Sequence, residues 1–81
     1  MGNRVVVIHS TPEGEIGELV LRELKAKGSL NISELATIQK SHNRAFFSIV
    51  PDDSEIVGHY RTQRYLVYSL LDNGTFQPNP E

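Results

Sequence analysis

Cysteine is absent from the 81 residues. That excludes disulfides, thiolate catalysis and every cysteine-based zinc site, and it fits a reducing compartment. Long apolar runs are missing too: the longest is Val5-Val6-Val7-Ile8, far short of the ~20 residues a membrane span needs. A polar His9-Ser10-Thr11-Pro12-Glu13 follows it at once, unlike a signal peptide, so a soluble cytoplasmic protein is expected. Catalytic motifs are also lacking. His9, His42 and His59 have no metal-ligand spacing. The stretch from Val5 to Gly17 invites comparison with a phosphate-binding loop but carries neither G-x-G-x-x-G nor the P-loop pattern. Glu13, Glu15 and Glu18 would moreover repel a phosphate there. No enzyme activity, metal or cofactor is therefore expected, and Asp52, Asp53 and Glu55 read as a solvated acidic loop.

With no internal repeat and no long linker, the chain reads as one domain over residues 1–76 with a tail over 77–81. Such a domain buries roughly 60–65% of its unfolded surface. Apolar residues make up 38%, below the usual ~45–50%, so the core is modest. The net charge of −2 counts against a strongly electrostatic nucleic-acid binder. Charge is segregated along the chain, however. Acids cluster at Glu13, Glu15, Glu18 and Glu23 and again at Asp52, Asp53 and Glu55, whereas Lys40, Arg44, Arg61 and Arg64 lie in two acid-free stretches, 39–51 and 56–71.

Arg4 to Ile8 is β-branched and apolar on both faces, which predicts a strand inside a sheet. A helix follows over about 12–27, opened by a Ser10/Glu13 capping box or by Thr11 before Pro12; both starts fit. Ile16, Leu19, Val20, Leu21 and Leu24 form its apolar stripe, Glu18 and Arg22 an i,i+4 pair, and Gly14 and Gly17 weaken its first turns. Gly28 suits a left-handed helix stop. Asn31 with Glu34 makes a capping box, and Leu30 with Leu35 a hydrophobic staple. This predicts a short helix over about 32–39 that buries Leu35, Ile38 and Ala36, then a break over 39–42. Residues 44–50 read as a third helix stopped by Pro51, with a strand open as the alternative because the segment is aromatic and β-branched. Ile56–Arg61 and Arg64–Leu71 then read as a hairpin with Arg61-Thr62-Gln63-Arg64 at its tip, and Asp72-Asn73-Gly74 as a closing turn.

That order resembles a winged helix-turn-helix domain: α+β, with an N-terminal strand, three helices and a C-terminal β-hairpin wing. The residues carrying the resemblance are Leu19 to Ala36, which look like the first helix, turn and second helix, and Ile56–Arg61 with Arg64–Leu70, which look like the wing strands. The resemblance covers about residues 16–72 and implies binding of double-stranded DNA. By position, Ser41, His42, Asn43 and Arg44 would open the recognition helix, with Asn and Arg suited to bidentate base contacts. Lys40 would meet backbone phosphate, and Arg61, Thr62, Gln63 and Arg64 would form the wing tip along the minor groove.

Two functions follow as expectations. The first is a DNA-binding transcriptional regulator acting as a homodimer. The second is a non-enzymatic protein–protein interaction module, on a winged-helix or small α/β scaffold, whose acidic first helix and Phe46/Phe47 surface meet a protein partner. The arginine-tipped hairpin favours the first and the negative net charge the second.

Overall fold

Strand β1 (Arg4–Ile8) runs through the middle of the molecule, and Val5 to Ile8 are all buried, as four consecutive apolar β-branched residues require. A computed structural model describes residues 3–77. Around β1 the elements follow as α1 (Glu15–Lys27), β2 (Leu30–Asn31), α2 (Ile32–His42), β3 (Phe47–Pro51), α3 (Glu55–Thr62), β4 (Leu66–Leu70) and β5 (Thr75–Phe76). Among the described residues five strands form one antiparallel sheet in the order β2-β5-β4-β1-β3. The fold is α+β, with a layer of helix on each face of the sheet.

The alternation of β1 sorts the core into two clusters. Val6 and Ile8 join Ile16, Val20 and Leu24 of α1, Leu35 of α2, and Tyr68 and Phe76. Val5 and Val7 point the other way and meet Val57 of α3, with Val50, Tyr60, Tyr65 and Val67 around them. β3 and β4 both run antiparallel to β1 and hence parallel to each other. Parallel strands need a crossover rather than a tight turn, and the segment holding α3 supplies it.

The capping box at α2 is present as the sequence predicts. Asn31 Oδ1 accepts from Ser33 N–H at 2.8 Å, and Glu34 Oε1 accepts from Asn31 N–H at 3.0 Å. Leu30 and Leu35, the staple pair, are buried in one cluster. Gly28 closes α1 at φ 84°. Asp72-Asn73-Gly74 makes its turn, with Gly74 at φ 85° and Asn73 Oδ1 holding Thr75 N–H at 3.1 Å. Pro78 to Glu81, within the predicted tail, lie outside the described residues.

Other expectations are overturned. α1 starts at Glu15 behind Gly14, and neither Ser10 nor Thr11 caps it; Ser10 Oγ instead accepts from Gly17 N–H at 2.9 Å. No Glu18–Arg22 ion pair forms among the described residues; Glu23 pairs with Lys27 at 3.5 Å instead. α2 has no break over 39–42 and continues to His42, ending where Asn43 turns left-handed at φ 53°. Ala36 is exposed. The third helix over 44–50 is absent: its span holds β3, as its aromatic and β-branched content favours. The first wing strand is absent as well, because residues 55–62 form α3. Ser54 caps that helix, and Val57 and Tyr60, three apart, face the second cluster, so a helical period wins over the β-like composition.

Candidate functional site

Both groups of residues expected at DNA come to the same end of the sheet. Ile8 lies opposite Phe47 on one side and Leu66 on the other, so β3 and β4 begin level with the end of β1. Two strand spacings, about 10 Å, separate them. Lys40, Ser41 and His42 occupy the last turn of α2, with Asn43 as its cap and Arg44 in the bend before β3. Arg61 and Thr62 end α3, with Gln63 as cap and Arg64 left-handed at φ 62° before β4. All nine are exposed. The geometry expected of them is not there: no recognition helix begins at Ser41, and no hairpin carries Arg61 to Arg64.

Several of these side chains have local tasks. Thr62 Oγ1 donates to the Gly58 carbonyl at 2.8 Å, and Gln63 Nε2 lies 2.9 Å from His59 Nε2. Arg64 pairs with Glu13 at 3.0 Å, across 51 residues of sequence. Lys40, His42 and Arg61 sit at helix C-termini, where the partial negative charge of the helix favours cations. The same end therefore mixes signs: four lysine and arginine side chains, the ends of two helices and the acidic start of α1.

On the α3 face at this end lies an aromatic cluster built from residues distant in sequence. His9, just past β1, has its ring 5.0 Å from Tyr60 and 5.4 Å from Tyr65, and the two tyrosines stack at 5.8 Å. His9 Nε2 lies 2.8 Å from Ser48 Oγ on β3. All four residues are half-buried, and burial lowers the His9 pKa below its ordinary 6.5. The proposed Phe46/Phe47 contact surface is withdrawn into the protein. Phe46 is 1% exposed and Phe47 half-buried against the first cluster.

The chain matches no known protein family, no curated protein and no solved structure. Among the described residues no group of His, Asp or Glu is placed to hold a metal, and no helix is long and apolar enough to cross a membrane. A shallow groove of about 400 Å³ separates α1 from α2, floored by Leu19, Leu30 and Ile38. Lys27 spans it to Glu34 at 2.7 Å. That hydrogen bond raises the Lys27 pKa and, with the Asn31 N–H, lowers that of Glu34.

The remaining surface is the free edge of β3. It is one of two edge strands, and the other, β2, is only two residues long. His9 N–H donates to Phe46 O at 2.7 Å, and Asp52 N–H to Asn3 O at 3.0 Å. Antiparallel alternation then turns Ser48 and Val50 toward β1 and turns the backbone groups of Phe47 and Ile49 outward. Among the described residues β1 is the one strand paired with β3. Edge strands are commonly blunted by a lysine, a bulge or a covering element. Ala45-Phe46-Phe47-Ser48-Ile49-Val50 has no charge, and only Pro51 at its end lacks a donor. The composition that makes this segment a strand was legible in sequence; its position at the edge was not.

Proposed function

We propose that this chain is a non-enzymatic protein-interaction module that takes a partner by strand addition at β3. The observation that carries this is the outward-facing, uncharged and uncovered edge from Ala45 to Val50. Strand addition draws affinity from backbone hydrogen bonds and specificity from alternate side chains. Phe47 and Ile49 would supply contacts on one face, Ser48 and Val50 on the other, all four half-buried in the free chain. Peptides of about ten residues, selected from a displayed library against the protein, test this. Expected are extended sequences with alternating apolar residues whose binding shifts the amide signals of residues 45–51. Selected peptides that map to the α1–α2 groove or elsewhere refute it.

DNA binding by a regulator is the second reading, favoured by one observation: Arg61 and Arg64 immediately follow and precede the half-exposed Tyr60 and Tyr65, at the end of the sheet that also carries Lys40 and Arg44. On this architecture the contact would be a cationic rim beside stacking rings, as single-strand binders use, rather than a helix in a groove. The Glu13–Arg64 pair, the two helix C-termini and the net charge of −2 weigh against it. Anisotropy of labelled duplex and single-stranded DNA over a salt series decides. Each phosphate neutralised adds roughly 0.7–0.9 to the log–log slope, and no binding at low salt refutes the reading.

A further inference from the structure

We propose that the partner of the β3 edge is a second copy of this chain, paired antiparallel about a two-fold axis at Ser48 into a continuous ten-stranded sheet. The inference rests on the strand-addition reading and names its occupant.

The register follows from which backbone groups face outward. Within β3 only Phe47 and Ile49 present an outward N–H, since Ser48 and Val50 are turned toward β1 and Pro51 has none. A two-fold axis normal to the sheet makes the two edges antiparallel. Three registers then bring outward donors together: Phe47 on Phe47, Phe47 on Ile49, or Ile49 on Ile49. Pairing Phe47 with Ile49 engages both N–H groups and both carbonyls of these residues on each copy. Pairing Phe47 with itself leaves Ile49 to bond beyond the strand, at Ala45, whereas pairing Ile49 with itself leaves the Phe47 carbonyl unbonded.

Charge selects the same register. In that pairing the residue numbers of opposed strand positions sum to a constant, which continued past the strand ends brings the bend at Arg44 toward the turn at Asp52 of the second copy, twice by symmetry. Arg44, Asp52 and Asp53 are exposed and form no ion pair among the described residues. The other two registers set Arg44 against Val50 or Ser54, and a parallel arrangement would set Arg44 beside Arg44. Phe47 would lie against Ile49 of the second copy on the α1/α2 face, an aromatic and β-branched cross-strand pair. The two Ser48 residues would meet at the axis, where a small side chain is needed and is present. The opposite edge cannot serve, because β2 offers two residues.

Analytical ultracentrifugation from ~1 µM to ~1 mM, the range that spans weak to moderate dissociation constants, reads the equilibrium directly. Expected is a reversible dimer in which the Phe47 and Ile49 amides gain exchange protection as concentration rises. Arg44→Asp and Asp52→Arg each turn two attractive pairs repulsive and should weaken association roughly tenfold; the double variant should restore it. These residues are exposed, so circular dichroism of each variant should match the wild type. A wild type that stays monomeric at the top concentration overturns the inference, as does a dimer indifferent to both single reversals. Monomeric protein that still captures library peptides on residues 45–51 overturns only the second copy as occupant and leaves strand addition standing. A monomer whose peptides bind elsewhere overturns both.

Discussion

Gly17→Ala should destabilise this protein, although a glycine-to-alanine change inside a helix ordinarily gains about 1 kcal/mol. The reason is the loop between β1 and α1. A Cβ at position 17 would lie 1.9 Å from the Thr11 carbonyl oxygen, 2.9 Å from its carbon and 3.0 Å from Ser10 Oγ. Two of those atoms are backbone, so relief requires α1 or the loop to shift by more than 1 Å. Overpacking of that kind costs about 1–3 kcal/mol. The shift also stretches the 2.9 Å bond from Gly17 N–H to Ser10 Oγ, a further ~0.5–1.5 kcal/mol. After subtracting the intrinsic helix gain, the net loss is about 1–3 kcal/mol, out of the roughly 4–12 kcal/mol expected for a chain of this length. Urea unfolding followed at 222 nm should show a lower midpoint with an unchanged slope. Gly58→Ala is the internal control: it lies in α3, nothing is within 4 Å of its Cβ, and a gain of about 0.5–1 kcal/mol is expected. If Gly17→Ala is as stable as the wild type, the close approach of loop and helix is wrong.

Asn31→Ala removes one half of the α2 capping box and should cost about 1 kcal/mol, read as a lower urea midpoint. Phe46→Ala empties a site that is 1% exposed and should cost about 3–5 kcal/mol, well above the cost at half-buried Phe47; equal costs would contradict the burial difference. For pH, His9 is held below its ordinary 6.5 by burial, so the unfolded chain takes up its proton first. Its contribution is therefore complete above pH 6.5, falls as pH drops toward the folded value and then levels off. His9→Gln should flatten the midpoint-versus-pH curve in that window. Glu34, lowered from 4.5 by its Lys27 and Asn31 hydrogen bonds, acts in a separate range, losing its contribution as pH falls below 4.5.

The two misread segments have the same kind of composition and opposite outcomes. Residues 44–50 and 55–62 are both rich in aromatic and β-branched side chains; that content was the right guide in the first, a strand, and the wrong one in the second, a helix. Pro51 suggested a helix stop, yet it sits at the end of an edge strand, where a missing donor is tolerated. Ser54 before Glu55, and Val57 with Tyr60 three residues on, were the helical signals in the second segment; Gly58 and the β-branched Ile56, Val57 and Thr62 masked them. Among the candidate site residues, the exposure and polarity of 40–44 and 61–64 could be read locally. Their meeting at one end of the sheet could not, since it depends on both β3 and β4 starting level with Ile8.

By itself the sequence determined the parts whose causes are local. These are the buried β1 run, the stop at Gly28, the cap and staple opening α2, and the Asn73-Gly74 turn, each set by neighbouring residues acting through side-chain bonds or allowed backbone angles. Tertiary structure decided what depends on distant partners. Gly17 changes from a weak helix residue to a required one because Thr11 presses against it. His9 finds Ser48, 39 residues away, and residues 45–50 become an open edge because the crossover through α3 places β4 on the other side of β1.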